Sequence, residues 1–261
     1  EIGQNFLNIA LMIAGAAASG LVGVFALMRK MTLASDAISH IALPGLGIAL
    51  LLKINPFIGG AVALLIGALL IWGVEERTKI STETVVGVVF SASLAIGALV
   101  TPDHELIEAL FGDVSGLTPF GALIGIISAI FIIIFILLYR HKLILALVSK
   151  DLAIVSGISV SRMNLFFLLI FSLNILLGLQ FLGTLLMGSL IIVPAAFARN
   201  IGHSLSGTLA ISLLASVFSV SAGFFISNLY GFDLGPVIIS IAALLFFASF
   251  LRQVFSRALG L

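Results

Sequence analysis

The sequence predicts an all-α, polytopic membrane protein with about nine transmembrane helices. Two observations carry that prediction. The first is composition: of 261 residues, 61% are hydrophobic and only 9% are charged, whereas a soluble domain carries roughly 25% charged residues. The mean hydropathy is +1.34, and so little polar surface cannot coat a soluble globule of this size. The second is the spacing of the apolar runs, since a membrane helix takes about 20 apolar residues at roughly 1.5 Å rise each. The same composition excludes other classes. A net charge of +1 gives no basic face for nucleic-acid phosphates. The chain has no cysteine, so disulfides, thiolate nucleophiles and thiolate metal sites are excluded.

Apolar runs between charged residues or Pro/Gly breaks give spans at residues 6–28, 33–52, 57–74, 84–100, 120–139, 163–181, 182–198, 205–229 and 234–251. The first ends at Arg29-Lys30. It lacks the basic start and small-residue cleavage site of a signal peptide and is expected to stay. Glu1 stands where an initiator Met would, so the native start is expected to have been removed or altered. The second span holds Asp36, His40 and Pro44. The fourth opens on Thr82-Glu83, an acid where a helix N-terminus favours one. The sixth and seventh run together through Leu179, Gln180 and Phe181 with little polar interruption. Nine spans use about 180 residues, which leaves only short connections. A single transmembrane domain over 1–261 is expected, with no separate soluble domain.

Basic residues orient the chain. With nine spans and the N-terminus outside, eleven of the twelve Lys/Arg fall on the cytoplasmic side, and only Lys53 falls outside. Asp103, Glu105, Glu108, Asp113 and Asp233 fall on the outer side. The C-terminus is then cytoplasmic.

Asp36 and His40 are the residues that composition does not explain. An Asp at a membrane-helix centre costs about 2.5–3.5 kcal/mol on insertion scales. His40 follows at i+4, on the same helical face. Carboxylate plus imidazole suits Zn²⁺ or Mn²⁺, but two ligands are too few to complete a site. Pro44 has no N–H, so the His40 carbonyl loses its helical partner, and Gly45 follows it. Pro194 does the same to Leu190 in the small-residue stretch 183–196. Paired broken helices of this kind mark the substrate path in some transporters.

The longest polar connection, 140–162, contains Ser149-Lys150-Asp151-Leu152-Ala153-Ile154-Val155-Ser156-Gly157. Ser149 can cap a helix start and Gly157 suits the residue just past its end. A short helix on the cytoplasmic surface, open to a partner, is expected. His104 belongs to an acidic outer loop, and His141 and His203 to cytoplasmic ends facing water. Gln180, Asn164 and Asn174 are candidate interhelical hydrogen-bond partners. No P-loop, H-E-x-x-H or G-x-S-x-G motif occurs, so the chain has no ATPase or common hydrolase signature.

The stretch Arg29-Lys30-Met31-Thr32-Leu33-Ala34-Ser35-Asp36-Ala37-Ile38-Ser39-His40-Ile41-Ala42-Leu43-Pro44-Gly45 closely resembles a motif of the permease subunits of bacterial zinc/manganese/iron ABC importers. The resemblance continues in Thr84-Val85-Val86-Gly87-Val88-Val89-Phe90-Ser91, in Leu110-Phe111-Gly112-Asp113, in 151–157, in 183–196 and in Gly235-Pro236. The family often has Asp where this chain has Glu83. The combination is specific, although the single pieces are not. It implies a fold similar to the cobalamin and siderophore importers and a location in the bacterial plasma membrane. It implies a homodimeric or heterodimeric permease core, here a second copy of the same chain, with cytoplasmic ABC ATPase subunits and an extracytoplasmic metal-binding lipoprotein. No cofactor is permanently bound; Zn²⁺, Mn²⁺ or Fe²⁺ is cargo. By resemblance, Asp36 and His40 coordinate the metal, and Lys150 to Gly157 dock into the ATPase. The runner-up expectation is an ion-coupled secondary metal transporter, which needs further intramembrane acids. A membrane metalloenzyme comes third, lacking a third ligand and a general base at familiar spacing.

Overall fold

The computed structural model describes residues 2–78, 80–100 and 118–258. The outer-loop residues, from Asp103, His104, Glu105 and Glu108 to the Leu110-Phe111-Gly112-Asp113 motif, lie outside the described residues. Ten helices follow one another: α1 (Ile2–Met28), α2 (Thr32–His40), α3 (Ala42–Leu51), α4 (Pro56–Arg77) and α5 (Thr82–Val100), then α6 (Pro119–Val148), α7 (Lys150–Val155), α8 (Val160–Ile201), α9 (Leu205–Tyr230) and α10 (Leu234–Ala258). No strand occurs among the described residues.

Local sequence sets many helix ends. Asn55, Thr118, Ser149, Ser159 and Ser204 each accept a backbone N–H from the first turn of α4, α6, α7, α8 and α9. Each such cap satisfies a donor that the helix cannot satisfy itself. Pro56 and Pro119 occupy the first helical position, where a missing N–H costs nothing. Three helices end alike. Lys30, Lys53 and Gly157 take left-handed φ values of 58°, 56° and 73°. The next residue's N–H then returns five residues back, as Met31 to Ala26 (2.9 Å), Ile54 to Ala49 (3.0 Å) and Ile158 to Ala153 (2.8 Å).

Two expectations about helix breaks part ways. The second predicted span is divided: α2 ends at His40 and α3 starts at Ala42, so Pro44 sits in the first turn of the new helix. Pro194 ends no helix. It lies inside α8, where the helical run continues past it and only the Leu190 carbonyl loses its donor.

α8 has 42 residues, about 63 Å if straight. It is not straight. Asn174 bonds Ser19, yet Ile191 and Ala195 meet α1 at Gly23, only one turn from Ser19. A Cβ on Gly178 would also overlap Met187 Sδ, nine residues on. The chain therefore reverses between two limbs, 160–179 and 187–201. These are the sixth and seventh predicted passes. By length and hydropathy, eight segments of the described residues qualify as spans, and 187–201 is a shorter apolar helix. The fifth span is longer than expected, because α6 continues to Val148 through Arg140, His141 and Lys142.

α1 is the core of the bundle, packed on α6, α8 and α9, with Phe25, Phe167 and Phe171 fully buried. The outside is as apolar as the inside: Leu99 of α5, Leu138 of α6 and Leu244 of α10 are exposed. Small residues bring helices together, as expected where lipid gives no hydrophobic drive between them. Gly45 of α3 and Gly59 of α4 face each other so closely that a Cβ on either would overlap the other's carbonyl oxygen. The ends of α1, α4 and α6 and the starts of α5, α7 and α8 meet around one cavity. Arg140 reaches Ser206 (3.5 Å) at the start of α9. Arg29, Lys150, Arg140 and Arg162 are thus gathered at one end of the bundle. His141 and His203 are exposed, as expected.

Candidate metal site

α2 is short because Pro44 denies the His40 carbonyl its N–H partner. Ile41 N–H turns back to Ile38 O (3.0 Å). His40 therefore occupies the last turn of α2, where aligned carbonyls leave a partial negative charge that favours a cation. Pro44 and Leu43 pack against Gly97 of α5.

Asp36 and His40 lie one helical turn apart, as the spacing requires, in different surroundings. Asp36 is exposed on the surface of the bundle. His40 is 9% exposed, its ring 5.6 Å from that of Phe90 on α5. Its Nδ1 is buried without a hydrogen-bond partner. An unpaired ring nitrogen beside a carboxylate is a donor set with lone pairs to spare, which suits a borderline divalent cation. Two hydroxyls tie the surrounding backbone: Ser39 Oγ donates to Asp36 O (2.6 Å), and Ser35 Oγ to Thr32 O (2.9 Å) and, at 3.5 Å, to Gly188 O on α8. Gly188 packs directly on the Asp36 backbone: a Cβ there would stand 2.9 Å from both Asp36 Cα and Asp36 N. Among the described residues, no group of three His, Cys, Asp or Glu is assembled, so Asp36 and His40 alone make up the candidate donor set there.

The other candidate residues fall into place separately. Gly45 meets Gly59 and serves helix packing, and Pro194 lies on the second limb of α8. Residues 150–155 form α7, capped by Ser149 (3.2 Å to Leu152 N) and closed by Gly157. Ala153 is fully buried, whereas Leu152, Ile154 and Val155 face outward at 58%, 64% and 86% exposure. Asn174 does make an interhelical bond, to Ser19 (3.1 Å), whereas Asn164 bonds Arg29 of the α1–α2 connection, and the Gln180 side chain lies outside what is described. Burial pushes the Arg29 guanidinium down to about 10, and the Glu75 carboxylate opposes that shift.

Residues 3–253 match the ABC 3 transport family. The chain belongs to that family. Its relatives include the high-affinity zinc uptake system membrane protein ZnuB of Haemophilus influenzae, 29% identical over 89% of this chain and 91% of that protein. The manganese transport system membrane protein MntC of Listeria monocytogenes is 30% identical over 89% of this chain and 85% of its own length. Among solved structures, PsaBC from Streptococcus pneumoniae in complex with Fab superposes with a TM-score of 0.83, at 26% identity over 96% of this chain and 93% of that one.

Phe90 and Gly188 are the site residues that sequence reasoning missed. Both stand in stretches singled out for their resemblance, but their contacts with α2 cross 50 and 152 positions of sequence, and neither residue type announces a site in an apolar chain.

Proposed function

We propose that this family member is the membrane-spanning subunit of an ATP-driven importer that moves a divalent transition metal, Zn²⁺ or Mn²⁺, into a bacterial cell. The carrying observation is the intramembrane Asp36–His40 pair with its unpartnered buried Nδ1. The zinc and manganese uptake relatives support the cargo class. The chain sits with its N-terminus outside, which puts the Arg29, Arg140 and Lys150 end in the cytoplasm, in line with the positive-inside rule. An extracytoplasmic binding protein delivers the ion at the other end.

Asp36 is open on the bundle surface, and the described residues of one chain offer two ligands. A second copy related by a two-fold axis brings another Asp36–His40 pair and completes a four-ligand station. There the ionised carboxylates and neutral imidazoles hold the cation, weakly enough to release it. α7 is the docking helix for the ATPase subunit, its buried Ala153 anchoring it and its outward Leu152, Ile154 and Val155 offering an apolar contact. ATP-driven closure of the ATPase pair moves α7 and switches access to the station.

The test is whole-cell metal analysis of a strain lacking this chain, grown under separate zinc and manganese limitation and complemented with wild type, Asp36→Ala or His40→Ala. One metal falls in the deletion strain and returns only with wild type. Full restoration by both variants would overturn the site.

A further inference from the structure

The α1–α2 connection carries a cation that the metal site does not use. Arg29 follows the last residue of α1 and stands three residues ahead of the first residue of α2. Its Nη1 donates to Asn164 Oδ1, and its guanidinium lies 4.5 Å from the centre of the Phe167 ring. Both partners are within the first eight residues of α8. Across the cavity of about 450 Å³ at this end of the bundle, Arg29 faces Glu75 of α4, with Glu76, Lys150, Ser161 and Asn164 also in the wall. Arg29 Nε and Glu75 Oε2 are both buried without a partner.

The same turns of α8 are tied to α4 and to α7. Trp72 Nε1 donates to Ser161 O (3.1 Å) and Ser161 Oγ (3.2 Å). Only four residues join α7 to α8. They are closed by the left-handed Gly157 and by the Ser159 cap on Arg162 N (3.4 Å), a connection with little slack. A displacement of α7 therefore arrives first at Ser161 and Asn164. Beyond the peptide chain, Arg29 is the polar contact that joins these first turns of α8 to the connection into α2, the helix that holds Asp36 and His40, whereas Ser35 Oγ meets α8 only on its second limb, at Gly188 O.

We propose that Arg29, clamped between Asn164 and Phe167, is a positioning residue that links the docking helix α7 to the metal-ligand helix α2. This rests on the importer reading given above. Arginine suits the role because its flat fork bonds the amide and stacks on the ring at once, which the single ammonium of lysine cannot do. A link of this kind is a coupling free energy between two sites, and its loss separates the events at each site without abolishing either.

The experiment uses the permease with its ATPase and binding protein in proteoliposomes. It measures metal imported per ATP hydrolysed, ATPase co-purification, and metal affinity of the permease. Arg29→Gln is expected to keep assembly and metal affinity and to lower metal moved per ATP roughly tenfold, within the span of such couplings. Arg29→Lys is expected to stay low, for want of the fork. Asn164→Asp keeps an acceptor and is expected to retain coupling, whereas Asn164→Leu loses it. A wild-type ratio in Arg29→Gln, or equal ratios in the two Asn164 variants, would overturn the proposal. So would parallel loss of assembly, metal affinity and uptake in all four variants, because that is the behaviour of a purely structural contact. The Asn164 pair decides if Arg29→Gln does not accumulate in the membrane. Failure of the wild-type complex to import metal would instead strike the importer reading and is read from the control alone.

Discussion

Gly188→Ala is the sharpest test of how the site is held. The new Cβ would stand 2.9 Å from Asp36 Cα and N and 3.1 Å from Asp36 Cβ, where ordinary contact begins near 3.4 Å. Two of these atoms are backbone and cannot rotate away, so α2 and α8 must part by roughly half an ångström or more. Overpacking of this sort costs about 1–3 kcal/mol. At about 2–4 °C per kcal/mol, the thermal midpoint in detergent should fall by several degrees. The shift also moves the backbone that carries the Asp36 carboxylate, so metal uptake should fall further than stability does. Gly73→Ala is the control, because a Cβ there meets nothing within 4 Å. Midpoint and uptake are measured on all three proteins. If Gly188→Ala matches Gly73→Ala in both, the close approach of α8 to Asp36 has no energetic meaning and the reasoning fails.

Other outcomes follow from the same geometry. Asp36→Ala and His40→Ala should each abolish metal uptake while the ATPase still co-purifies, read by radiometal transport and affinity capture. Gly45→Ala and Gly59→Ala should each cost about 1–3 kcal/mol by forcing α3 from α4, seen as a lower unfolding midpoint, and the double variant should cost less than the sum because one separation serves both. Ser19→Ala removes the partner of the fully buried Asn174; a loss of about 0.5–2 kcal/mol is expected on membrane hydrogen-bond scales, measured by denaturant unfolding in mixed micelles. Gly157→Ala places a Cβ at φ +73°, costing about 1–2 kcal/mol, and should reduce ATPase recovered with the permease without changing its metal affinity.

What the sequence made legible is what local chemistry dictates. Asp36 and His40 stood out because charge and imidazole are costly in hydrocarbon and four residues make one turn. The α7 boundaries were legible because Ser149 and Gly157 act on their own neighbours. The second span's break was legible in Pro44, because a missing N–H is a covalent fact. The rest was hidden for a physical reason. In a chain apolar on every face, hydrophobic periodicity no longer reports which side of a helix is inside. Nothing near Phe90 says that it meets His40, and nothing near Ser19 says that it meets Asn174, 155 residues away. The reversal in α8 left only a weak trace, because both limbs are apolar and no Pro or charged residue stands between them. The same Pro chemistry that ended α2 did not end α8, since neighbouring helices hold the second limb in place.

The second limb of α8 bears on how the chain is made. At 15 residues it is about 22 Å long, short of the roughly 30 Å of hydrocarbon that a lone helix must cross. Met187, Leu190, Ile191, Ala195 and Ala198 on it are fully buried in protein. Such a segment has little reason to leave the translocon alone, with the Leu190 carbonyl bare to lipid. It is expected to enter as the trailing arm of a hairpin, with 160–179 leading, and to be sheathed once α9 and α10, which pack on α8, have emerged behind it. A ribosome stalled before α9 would thus leave this limb without two of the helices that sheath it.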